Sequence, residues 1–233
     1  MTARRRAIHV VGLLFTAVAG ACLMQPGAAA CAVMDAMPLQ RLPDGSLADA
    51  ALTPGERRSA VADHVAARRR IARMFGPARA APIIVHLRDT VALWPLSYNS
   101  FGSTDFLPGR TCVVLGPDGR NVDVMAHELM HAELVDRVGF WRRRLEIPVW
   151  FDEGVGMQVD ARTAFGRPKT KGDIRSKVTA RAFFHVPPDE LTGHYALAKR
   201  AVADWLDRQG RNNLYARLAA IRAGEDFDQV WAR

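Results

Sequence analysis

The segment from Asn121 to Val138 constrains this chain more than any other. Val122, Val124, Met125, Ala126, Leu129, Met130, Ala132, Leu134, Val135 and Val138 fall on nearly every side of a helix that Gly139 would stop. A helix apolar all round is normally buried. Yet this one carries His127-Glu128-Leu129-Met130-His131. Buried polar groups without partners cost about 2–7 kcal/mol each, so these side chains need company. At about 3.6 residues per turn, positions four apart share a helix face, and two imidazoles can reach one metal ion. Glu128 stands one step round, beside the ion's open position, where it can take a proton from a bound water. The competing reading is a pair of core histidines hydrogen-bonded to backbone.

A tight zinc site needs a third protein ligand. Downstream stands Pro148-Val149-Trp150-Phe151-Asp152-Glu153-Gly154, with Glu153 lying 22 residues after His131. Pro148 to Asp160 predicts a helix with proline at its first turn. Gly139 to Ile147 is long enough to bring that helix back antiparallel. Trp150 and Phe151 before Glu153, and Val155 and Met157 after it, mark a buried turn, and Gly154 leaves room for close packing. Asp152 competes with Glu153 for the ligand role. Three protein ligands leave one position open, whereas structural zinc sites usually close it with a fourth.

HELMH followed by PVWFDEG resembles the gluzincins, the thermolysin-like and aminopeptidase-like zinc peptidases, and among them small bacterial peptidase-MA-like proteins. The resemblance is specific over residues 121–160, weaker over 192–224, and says little about 31–107. It implies a minimal thermolysin-like catalytic domain in which His127, His131 and Glu153 hold Zn2+. Glu128 would be the general base for hydrolysis of a peptide or protein substrate. It also implies that the preceding strand, Arg110 to Leu115, is the edge that aligns an extended peptide. Gluzincins add a Tyr or His oxyanion donor from a later element. Gly193-His194-Tyr195, opening a late helix, offers Tyr195 or else His194. Tyr195 also begins an apolar stripe with Ala198, Val202 and Leu206, so its ring can equally be core. The chain departs from thermolysin at Met157, which stands where that enzyme has an acid supporting a ligand histidine. No third His follows the motif in the metzincin manner. A second function class stays open: a catalytically weak, zinc-stabilised envelope protein that holds a peptide or a peptidoglycan stem in the same cleft.

The first thirty residues differ from the rest. Arg4-Arg5-Arg6 precede an almost purely apolar run from Ala7 to Met24, then Pro26-Gly27 and Ala28-Ala29-Ala30. That order is the one of a secretory signal peptide cleaved near Ala30. It leaves a single domain over 31–233 that is periplasmic or secreted, with no stable membrane insertion. An uncleaved anchor or a lipoprotein is the alternative. Of the three cysteines, cleavage would remove Cys22 and leave Cys31 and Cys112, a pair that can close a disulfide in an oxidising compartment or remain two small apolar residues.

The formal charge is +8, and the first thirty residues hold three arginines and no acids, so the remainder is near +5. The only basic runs, Arg68-Arg69-Arg70 and Arg142-Arg143-Arg144, are not interleaved with aromatics as a nucleic-acid surface would be, and read as solvated helix faces. Residues 31–55 look extended. Pro54 to Phe75 predicts a helix with Thr53 and Glu56 as a capping box. Pro82 to Leu87 and Arg110 to Leu115 predict strands, with a turn-rich stretch over 97–109. Residues 161–188 read as a long loop, followed by helices over 189–209 and 214–222. The order predicts an α+β domain: a sheet on the N-terminal side, then the zinc helix, the glutamate helix and C-terminal helices.

Overall fold

The computed structural model describes residues 26–90, 98–166 and 172–233. It is a mixed α+β structure in which every described strand precedes the HELMH helix. The elements are α1 (Pro26–Val33), β1 (Leu39–Arg41), β2 (Leu47–Asp49), α2 (Pro54–Phe75), β3 (Ile83–His86), β4 (Gly102–Leu107) and β5 (Arg110–Leu115), then α3 (Val122–Val138), α4 (Phe140–Leu145), α5 (Val149–Val159), α6 (Ala180–Phe184), α7 (Pro188–Gln209), α8 (Leu214–Ala223) and α9 (Phe227–Ala232).

The strands form one five-stranded sheet in the order β1-β2-β3-β5-β4. β2 and β3 run parallel, joined by α2 as a crossover, and β3 and β5 are also parallel. β4 pairs antiparallel with β5 from Gly102 opposite Leu115 to Leu107 opposite Arg110. Two expectations are corrected here. The turn-rich stretch contains β4, and β5 is not an edge strand but is covered on both sides by β3 and β4, so the edge beside it is β4. The extended segment after residue 31 likewise holds two short strands, and the long loop holds the single turn of helix α6.

Local chemistry sets the helix ends as expected. Thr53 and Glu56 form the capping box of α2. Asn121 accepts from the amides of Asp123 and Val124 to start α3, which ends at Gly139 with φ 91°. α3 is buried along almost its whole length, between the sheet, α2 and α5. Its Glu133 accepts from the Ala80 amide and from Arg137. At Gly154 of α5 a Cβ would stand 2.6 Å from the Ala198 carbonyl of α7, so only glycine permits this approach. Trp150 and Phe151 of α5 join Trp205, Phe227 and Trp231 in an aromatic cluster.

The basic runs are not simply solvated. Arg70 pairs with Asp123 and reaches the Val159 carbonyl, Arg68 donates to the carbonyls of Ala78 and Ala80, and Arg143 pairs with Asp152. Cys31 and Cys112 form a disulfide that ties α1 to β5 across a sequence separation of 81 residues. A loop of that length is worth about 4.5 kcal/mol on the chain-entropy model. The expected cleavage point at Ala30 falls inside α1, next to this disulfide, while residues 1–25 of the expected signal peptide lie outside the described residues.

His86 on β3 is fully buried, and neither ring nitrogen has a hydrogen-bond partner among the described residues. Burial pushes its pKa down to about 4. The unfolded chain therefore takes up a proton near pH 6.5 that the folded chain refuses until about pH 4. His86 should cost stability as the pH falls through that window, up to about 3 kcal/mol at its lower end. Denaturant titrations at pH 7 and pH 4 check this. The parent should lose more stability than His86→Gln by that amount, and equal losses would refute it.

Candidate metal centre

Two helix faces make the site. Residues 127 and 131 of α3 lie one turn apart, and α5 crosses them with Glu153 pointing inward. His127 Nε2 is 3.1 Å from His131 Nε2 and 3.2 Å from the Glu153 carboxylate, and His131 Nε2 is 3.6 Å from the same carboxylate oxygen. A tetrahedral zinc with ligands at about 2.0–2.1 Å places its ligand atoms about 3.3 Å apart. The three distances bracket that value. All three residues are buried, and together they can hold a metal ion.

The surroundings fit a cation at that point. His131 Nδ1 donates to Asp152 Oδ1 at 2.7 Å, which orients the ring with Nε2 toward Glu153 and His127. Asp152 in turn receives the Arg143 guanidinium. Burial works against a charged His131, but the carboxylates of Asp152 and Glu153 outweigh it and hold its pKa well above the usual imidazole value. Burial likewise pushes Glu153 up, and the two imidazoles outweigh it and hold its carboxyl far below the usual range. The two shifts have one cause, the mutual attraction of the carboxylates and the imidazoles they face. The ring of His127 lies against Gly156, where a Cβ would come within 2.9 Å of it. Its Nδ1 is buried without a hydrogen-bond partner among the described residues, and Asp160 Oδ2 stands 3.9 Å away.

Glu128 is buried one step round α3 and is not one of the three converging residues. Its carboxylate accepts from the Thr104 hydroxyl of β4 at 2.6 Å. Tyr195 and His194 part company. The Tyr195 ring stands edge-on to His127 with centroids 6.2 Å apart, and also touches Phe165 and Phe183. Burial, then the charges of Glu153 and Glu128, raise its pKa far above the usual phenol value, so it remains a protonated donor. His194 turns away: Nδ1 donates to the Phe183 carbonyl at 2.8 Å, and Nε2 lies 3.3 Å from Glu190. It ties α6 to α7.

Glu153 and Asp152 line one wall of an open cleft of about 1130 Å³, which runs between Thr104, Asp105 and Phe106 of β4 and the segments bearing Arg143, Arg144 and Arg181. The site is thus a buried trio that can hold a metal ion, and its Glu153 reaches a groove beside a sheet edge. Sequence reasoning did not find Thr104, Asp160 or Gly156, and it read Asp152 only as a rival of Glu153. Met157, flagged as the missing support for a ligand histidine, is fully buried in the core. In comparisons with known proteins, no family model, no curated protein and no solved structure matches this chain.

Proposed function

We propose that this chain is a zinc-dependent peptidase of the gluzincin type, acting outside the cytoplasm. The observation that carries the reading is the buried His127–His131–Glu153 trio, with Glu128 one residue along and a groove at its side. The order of sheet, HELMH helix and glutamate helix supports a thermolysin-like arrangement. The leader-like first thirty residues and the Cys31–Cys112 disulfide support export.

His127, His131 and Glu153 would hold the ion. Bound there, zinc would supply Lewis acidity toward the scissile carbonyl and its attacking water. Glu128 takes the proton of that water as the new C–O bond forms, and passes it to the amine nitrogen as the C–N bond breaks. The Tyr195 phenol, whose ring stands edge-on to His127, donates to the oxyanion that develops on the former carbonyl. β4 has no strand on its outer side among the described residues, so an extended substrate can add to it as a further strand. Asp152 and Arg143 hold His131 in register.

The test is turnover of a peptide library by purified, zinc-loaded protein. Cleavage should vanish with a chelator and return on adding zinc. If the protein binds one zinc and cuts no peptide in the library, the reading as a zinc-stabilised binding protein replaces this one.

A further inference from the structure

A general base works only from a defined place, within hydrogen-bond reach of the proton it takes. A glutamate has three rotatable bonds, and nothing in the HELMH pattern says what holds this one still. The strand does. Along β4 successive side chains alternate faces. Gly102 and Thr104 pair with Leu115 and Val113, whose side chains join the core that contains α3. Asp105, on the opposite face, lies against Gly27 of α1. Gly102 and Thr104 therefore face α3, where Gly102 meets Val124 and Glu128, and the side chain both of them meet is Glu128. A Cβ at position 102 would stand 3.0 Å from Glu128 Cγ and 3.1 Å from Oε1. The Thr104 hydroxyl lies 2.6 Å from Glu128 Oε2 and 3.0 Å from the Glu128 carbonyl oxygen. It has one proton to give, and the shorter contact is to the carboxylate.

We infer that Thr104 is a positioning residue for the reaction: its hydroxyl anchors Glu128 Oε2, so that Oε1 is the oxygen presented to the attacking water, while Gly102 leaves the space this carboxylate occupies. The inference rests on the peptidase reading and adds a residue from the sheet edge to it. It also gives the edge strand a second role. The strand that receives the substrate backbone also sets the base, so the two are held in one frame.

The experiment uses full-length, zinc-loaded protein and steady-state kinetics on a peptide the parent cleaves, with zinc content and melting temperature measured for each variant. Thr104→Val should keep one zinc and a KM within about twofold of the parent, and lose roughly 10–100-fold in kcat, the scale of one hydrogen bond to a charged group. Thr104→Ser, which restores the hydroxyl, should recover most of that loss. If the valine variant does not fold, Thr104→Ala makes the same comparison without the branched methyl. A hydroxyl-free variant with parental kcat, or a serine variant as slow as the hydroxyl-free ones, overturns the role of Thr104 and leaves the peptidase reading standing. A zinc-loaded parent that cleaves nothing overturns both.

Discussion

A Glu128→Gln protein is expected to bind its metal at the parental stoichiometry and to cleave peptides at least about a hundredfold more slowly. The amide keeps the shape of the side chain, and its oxygen can still accept from Thr104. What it loses is the capacity to take a proton. Glu128 is not among the three converging residues, so metal binding has no reason to fall. The loss should appear in kcat, with KM little changed, because the missing interaction belongs to the transition state. Elemental analysis of the purified variant beside its kinetics checks both halves. A variant with full zinc and full activity would remove Glu128 from the chemistry. A variant that loses its zinc would mean that the carboxylate belongs to the metal centre.

The parts of the site that could be read from the sequence are those set by local geometry. Two histidines four apart on a helix must share a face, and the segment from Gly139 to Ile147 is long enough to bring the next helix back against them. So the trio was legible. Its supporting groups were not, because they depend on rotations that spacing does not encode. Asp152 and Glu153 are adjacent, and about 100° of helix rotation decides which converges with the two histidines and which takes the outer nitrogen of His131. β4 was missed for another reason. Gly102-Ser103-Thr104-Asp105-Phe106-Leu107 has little of the β-branched, alternating character of a strand, and becomes one by pairing with β5 across Pro108-Gly109. Gly109 adopts φ 75° there, and Pro-Gly is a general turn signal that did not single out a hairpin among its turn-rich surroundings. Missing β4 moved the sheet edge to β5 and hid Thr104. The arginine runs misled because a charged triplet on a helix looks solvated until a carboxylate such as Asp123 or Asp152 arrives from another element.

Replacing Glu153 by alanine should lower zinc affinity by more than replacing its neighbour Asp152 by asparagine, and the difference separates two adjacent carboxylates that composition cannot tell apart. Glu153 brings an oxygen to 3.2 Å and 3.6 Å from the two imidazole nitrogens, the position of a third ligand. Without it only two protein ligands remain, and two do not hold zinc tightly. Asp152 acts one bond further out, through the Nδ1–H of His131 and with Arg143 behind it. Loss of such an outer partner typically costs about 10–100-fold in metal affinity. Asn can still accept from Nδ1–H, so Asp152→Asn belongs at the lower end of that range, and Glu153→Ala beyond its upper end. Competition against a chromophoric chelator, with thermal unfolding of each apo-protein as a control for folding, gives the two numbers. If Glu153→Ala keeps parental affinity while Asp152→Asn does not, Asp152 is the third ligand, and α5 is rotated from the orientation described here. If both keep it, the metal is held elsewhere and the trio is a hydrogen-bonded core cluster.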